Sequence, residues 1–188
     1  MFEKDIYAGI IVLSFPDLVP IDRALVKSRT DFPYVPGLLS FREIPALMEC
    51  FEQLKAKHAI PDVIMVDGQG IAHPRRLGIA AHFGLVAGVP TIGCAKSPLY
   101  GKYEDPILTR QVGDHAYIHD PKKPSDEIIG TALFSKKNSK PLIISPGNHV
   151  SVDEALDITR ACLRGYRLPE PTRQAHNLVN AFRKSEVY

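Results

Sequence analysis

The chain has 188 residues, 45% of them hydrophobic, and a formal net charge of +2, so it is long enough for one α/β domain with a sizeable core. That mild positive balance permits a nucleic-acid partner but requires any basic footprint to be local. No apolar run approaches the ~18 residues of a membrane span and no signal peptide is evident, and the widely spaced Cys50, Cys94 and Cys162 read as buried free thiols of a reducing compartment, so no membrane contact and a cytoplasmic location are expected.

Taken in order, Tyr7 to Phe15 (YAGIIVLSF) reads as a strand that is apolar on both faces, and Ile21 to Arg29 as a partly polar strand paired with it. Pro33-Tyr34-Val35-Pro36-Gly37 is a rigid loop whose aromatic can either pack on the core or protrude as a wedge. Ser40-Phe41-Arg42-Glu43 has capping-box spacing ahead of Ile44, Leu47, Met48, Phe51 and Leu54. Glu43 is then a cap, or, because Pro45 belongs in a first turn, a carboxylate at a helix start beside a loop.

The central stretch, Asp62 to Leu99, carries the chemistry. Val63 to Val66 reads as a strand buried on both faces, delivering Asp67 at its C-terminal end, where open α/β sheets place their sites. Gly68 and Gly70 allow a tight turn and close approach of a ligand. His73, Arg75 and Arg76 follow within nine residues of Asp67, and a helix carrying Leu77, Ala80, Ala81, Gly84 and Leu85 stops at Gly88 and Pro90. A second buried strand, Thr91 to Ala95, ends in Lys96. Ile107 to Val112 with Tyr117-Ile118, Glu127 to Phe134 and Pro141 to Ser145 read as further strands. Ser151 to Glu154 is a capping box for a helix ending at Gly165. The final helix has Thr172 as its cap, a core stripe of Ala175, Leu178, Val179 and Phe182, and His176 on the flank. With no repeat or linker, the whole chain, 1–188, reads as a single domain.

Glu43, Asp67, His73, Arg75, Lys96 and His176 therefore form the candidate constellation. Carboxylates suit a hard, magnesium-type ion shared with phosphate and water, histidine can orient or deprotonate a water, and Lys or Arg can hold phosphates. Each alone has a structural reading: a turn-forming Asp, a satisfied His, solvated arginines.

FPYVPGLLSFRE (Phe32 to Glu43), VDGQGIAHPRRLGIAAHFGL (Val66 to Leu85), VPTIGCAKSPLYG (Val89 to Gly101) and PTRQAH (Pro171 to His176) resemble endonuclease V, from about Tyr7 to Phe182. The resemblance implies an α/β, ribonuclease-H-like mixed β-sheet flanked by helices. It implies a Mg2+-dependent endonuclease, with Mn2+ able to substitute. The implied partner is deoxyinosine-containing DNA, cut at the second phosphodiester bond 3′ to the lesion by a monomer. The alternatives are an inosine-specific ribonuclease acting on inosine-containing RNA, a general structure-specific nuclease and a catalytically impaired lesion-binding module. By motif, Glu43 and Asp67 match metal-binding carboxylates, His73, Lys96 and His176 match catalytic and phosphate-handling positions, and Tyr34 matches a strand-separating wedge. Pro36, Gly37, Leu39, Gly68, Gly70, Arg75, Gly78 and Ile79 fall in segments matching the lesion-binding region, where an extruded base is read. The family carries one more metal-binding aspartate, on a first strand whose place would fall just before Met1. The expectation is therefore an upstream start, or a shortened protein without that strand and ligand, poorly folded and poorly active.

Overall fold

The structure is a computed structural model, and it describes residues 5–33, 35, 37–104, 111–123 and 127–186. Its strands form two sheets. β1 (Asp5–Leu13) and β2 (Pro20–Arg29) make an antiparallel pair. β3 (Ile64–Val66), β4 (Thr91–Ala95), β5 (His115–His119), β6 (Ile128–Leu133) and β7 (Leu142–Asn148) make a mixed sheet of order β3-β4-β7-β6-β5. β3 and β4 run parallel, joined through α2 (Ile79–Ala87), and the remaining pairs are antiparallel. Two of the other helices are α1 (Leu39–Ala56) and α3 (Val152–Ala161).

α1 packs on β1, β2 and α2, and its apolar series supplies the buried Ile44, Phe51 and Leu54 to a core that also holds Ile10, Val12 and Phe83. Phe51 and Phe83 meet edge to face, with ring centroids 5.9 Å apart. On the other sheet, β4 is buried at every position, and Ile92, Cys94, Leu142 and Ile144 pack under Leu156 of α3. The three cysteines are free and buried, as expected.

Several elements differ from the sequence reading. β1 is buried on alternate residues, Ala8, Ile10 and Val12, and not on both faces. Its other side is covered in part by α4 (Glu170–Ser185), where Tyr7 meets Phe182 edge to face. The α4 stripe is accordingly half-buried at Ala175, Leu178, Val179 and Phe182. Among the described residues β1 pairs only with β2 and β3 only with β4, and both strands line a cavity of about 830 Å³. β3 is shorter than expected, with Met65 and Val66 only partly buried.

Ser40 does not cap α1: Leu38 is the N-cap residue, without a side-chain cap, and Pro45 lies inside the helix. The turn at Gly37 (φ 78°), where Leu38 N–H donates to the Val35 carbonyl at 2.9 Å, starts the helix early. Likewise Pro169 precedes α4 and Thr172 sits within it, its hydroxyl donating to the Pro169 carbonyl. The Ser151–Glu154 capping box forms as read. Gln111 and Val112 are outside any strand, while residues 107–110 of that expected strand lie outside the described residues.

Candidate active site

Asp67 follows β3 directly and Lys96 follows β4, so the parallel pair brings them to one sheet edge. Lys96 Nζ donates to Asp67 Oδ2 at 2.6 Å, and His176 Nδ1 of α4 stands 4.0 Å from the same oxygen. Glu43, from the second turn of α1, lines the cavity with Asp67 and His176. Burial raises the Glu43 carboxyl above its ordinary value, and the Asp67 charge adds to the rise although Arg42 opposes it. The structure thus gathers four of the five expected catalytic residues around Asp67: Glu43 and His176 line the cleft with it, and Lys96 is hydrogen-bonded to it.

The fifth, His73, is 4% exposed and lies on the loop after the glycines. Its Nδ1 accepts the Arg75 N–H at 3.1 Å, which places the ring proton on Nε2 in the assigned tautomer. Burial, and secondarily the Arg75 charge, push its pKa down. Arg75 Nη1 in turn donates to the Gly37 carbonyl at 3.2 Å, tying this loop to the one before α1. Tyr34 and Pro36 lie outside the described residues. Leu39, partly exposed, opens α1, and Ile79 opens α2 and reaches the cavity.

The glycines serve close packing of backbone on backbone. A Cβ at Gly70 would fall 2.0 Å from the Pro146 carbonyl oxygen, and one at Gly78 would fall 2.2 Å from that of Gln69. Gly70 N–H donates to Ser145 Oγ at 2.8 Å, and Gly78 N–H to the Gly70 carbonyl at 3.0 Å. A Cβ at Gly68 would meet only the Ile79 side chain, at 2.4 Å. The turn that aims Asp67 is therefore stapled to β7 and to the start of α2.

Sequence reasoning passed over three residues here. Gln69 is 9% exposed; its Nε2 donates to the Ser97 carbonyl at 2.8 Å, and its Oε1 is buried without a partner among the described residues. Ser145 is fully buried, and its signal is a hydroxyl closing the apolar run LIIS. Arg167 Nη2 donates to the Lys96 carbonyl at 2.6 Å and carries no local signal. Among the described residues no group of three or more His, Cys, Asp or Glu is suited to a metal ion. Glu43 and Asp67, two neighbouring carboxylates in a part-buried cleft, still fit a hard cation that takes its remaining oxygens from water and phosphate.

The endonuclease V family profile matches residues 2–177. The chain belongs to the endonuclease V family. Endonuclease V of Gloeobacter violaceus is 46% identical over 180 residues, covering 96% of this chain and 70% of that protein. The crystal structure of the catalytic domain of human endonuclease V superposes with a TM-score of 0.90 at 33% identity, over 99% of this chain and 78% of that one. Endonuclease V of Ciona intestinalis, solved with a 24mer DNA containing an inosine followed by a ribo-adenosine, gives 0.86 at 28% identity, over 98% and 81%. The mixed sheet flanked by helices is thus the ribonuclease-H-like fold of endonuclease V, and the chain is a member of a family of nucleases.

Proposed function

We propose that this single domain, 1–188, is a cytoplasmic, monomeric endonuclease that recognises inosine in DNA. It hydrolyses the second phosphodiester bond 3′ to the lesion, giving a 3′-hydroxyl and a 5′-phosphate. The observation that carries the reading is the cleft lined by Glu43, Asp67 and His176, with Lys96 hydrogen-bonded to Asp67 where β3 and β4 end. The Ciona relative's inosine-containing DNA supports the substrate class.

Glu43 and Asp67 would hold a Mg2+ ion, which when bound supplies Lewis-acid stabilisation of charge on phosphate and lowers the pKa of water. The chain's own groups do the rest. Lys96, paired with Asp67 in an exposed contact, turns its ammonium to a phosphate oxygen. His73, neutral with its proton on Nε2, donates there to a second oxygen. His176, on the rim, orients or deprotonates the attacking water. The segment at Gly37, Leu39, Gly68 and Ile79 is the seat for the extruded base, with Tyr34 filling the gap it leaves.

Asp67→Ala tests the assignment: cleavage of a single-inosine strand with Mg2+ is lost while binding of that strand is largely kept. A variant that still cuts at the parent rate removes Asp67 from the chemistry. Among the described residues Glu43, Asp67 and His176 share the cleft without forming a three-residue group suited to a metal ion, which favours one second reading, an inosine-binding module with impaired turnover. Parallel assays on inosine DNA and inosine RNA separate it: tight binding without cutting of either strand selects the module, and cutting of RNA alone selects a ribonuclease.

A further inference from the structure

We propose that Asp120 is a positioning residue whose buried carboxylate fixes the His73 loop against the loop that follows Lys96. The inference rests on the endonuclease reading above and deepens it.

Asp120, at the end of β5, is 7% exposed. Its Oδ1 accepts from the Tyr100 hydroxyl at 2.6 Å and from Lys122 N–H at 2.9 Å. Its Oδ2 accepts from Arg76 Nη2 at 2.5 Å, and Glu127 Oε2 stands 3.3 Å from the same nitrogen. Three stretches far apart in sequence therefore meet on one carboxylate: the loop after the glycines, the loop after β4, and the β5–β6 hairpin.

Each bond leads onward to the site. Arg76 N–H donates to the His73 carbonyl at 2.9 Å, and Arg75 is bound to His73 Nδ1 and to Gly37. Tyr100 lies four residues beyond Lys96 in a loop that Gln69 also holds at Ser97. His73 and Lys96 both sit on irregular backbone, so their aim depends on what anchors the loops. Arg76 adopts φ 57°, a conformation that non-glycine residues seldom take and that persists only where surroundings enforce it. Its Nη1 is buried without a partner among the described residues, so its hydrogen bonding falls on the Nη2 contacts. A paired buried charge enforces geometry because separating the partners strands a charge.

The test compares the full chain with Asp120→Asn, Arg76→Gln, Arg76→Lys and the double variant Arg76→Gln/Asp120→Asn. Amide hydrogen exchange at Arg75 and Arg76, read by NMR, is expected to quicken roughly tenfold or more in Asp120→Asn and Arg76→Gln. Cleavage of a saturating inosine strand should slow roughly tenfold while strand affinity stays within about twofold, the mark of misaligned groups. Arg76→Lys keeps the charge pair and should stay near the parent in both readouts, and the double variant should be no worse than either single. Unchanged exchange, an Arg76→Lys as damaging as Arg76→Gln, or additive losses in the double variant would overturn the proposal. Should the parent cut no inosine strand, the proposed function fails, and the exchange rates still decide the anchoring.

Discussion

Two buried hydroxyls on neighbouring strands make opposite demands on stability. Ser145 of β7 and Thr131 of β6 are both 0% exposed, and Thr131 is in register with Ile144 across the sheet. Ser145 Oγ accepts the Gly70 N–H at 2.8 Å, whereas Thr131 Oγ1 has no partner among the described residues. In Ser145→Ala a backbone donor is stranded, and the space vacated by one oxygen is too small for water. A buried donor left unsatisfied costs ~1–3 kcal/mol. For a chain of 188 residues each kcal/mol moves Tm by ~2–4 °C, so a fall of about 2–12 °C is expected. In Thr131→Val the unpaired hydroxyl is replaced by a methyl of similar size, removing a desolvated polar group worth ~1–3 kcal/mol, so Tm should hold or rise.

The same pair separates stability from function. Because the Gly70 staple aims the turn that carries Asp67, Ser145→Ala should also slow inosine-strand cleavage at a temperature well below its own Tm, and Thr131→Val should not. Thermal unfolding and single-turnover cleavage of both variants check this. Equal destabilisation by the two substitutions would show that the hydrogen bond to Gly70 is not what Ser145 supplies.

Glu43→Gln should abolish cleavage yet raise Tm near neutral pH. Burial raises the Glu43 carboxyl above its ordinary value, so ionising it costs more in the folded chain than in the unfolded one and opposes folding as pH rises; a Tm below the parent's refutes this. His73 has its folded pKa below 6.5, so the unfolded chain binds the proton more tightly, and stability falls as pH drops through ~6.5 toward the folded value. Protonation would also remove the acceptor of the Arg75 N–H. The difference in Tm between parent and His73→Gln should therefore change between pH 8 and 5, and a constant difference counts against the buried neutral ring. Tyr34→Ala should cost ~1–3 kcal/mol in preference for inosine over adenine strands if the ring stacks as a wedge. A fall in Tm with preference intact would instead make Tyr34 a core residue.

How much of this could be read from the sequence depended on range. The strand end at Asp67, the glycine turn and the second strand ending in Lys96 were legible because each is a local pattern, and the parallel β3–β4 pairing then forces the two residues together. The cap at Ser40 was misread because the Gly37 turn initiates α1 at Leu39, leaving the Ser40 hydroxyl to the His82 ring at 3.0 Å. The partners that hold the site were illegible: Gln69 and Ser97 are separated by 28 residues, Arg76 and Asp120 by 44, and Gly70 and Ser145 by 75. No spacing rule spans such distances; only the order β3-β4-β7-β6-β5 creates them.

That division also separates the pairings within the cleft from the contacts that hold the fold. The Lys96–Asp67 contact is short, yet its side chains are 43% and 37% exposed, and an exposed ion pair is worth only ~0–1 kcal/mol. It is therefore not what holds β3 and β4 in place; the backbone staples at Gly70 and Gly78 and the buried β4 do that. Glu43, by contrast, is an acid held in a part-buried place beside a second acid, and any positive charge entering the cleft makes its ionised form more favourable. A site with one carboxylate whose pKa is raised by burial and one on a weakly held ammonium would respond to a bound cation by exchanging partners. Lys96, relieved of Asp67 in that way, would then have its ammonium free for a phosphate oxygen, as the proposed function requires.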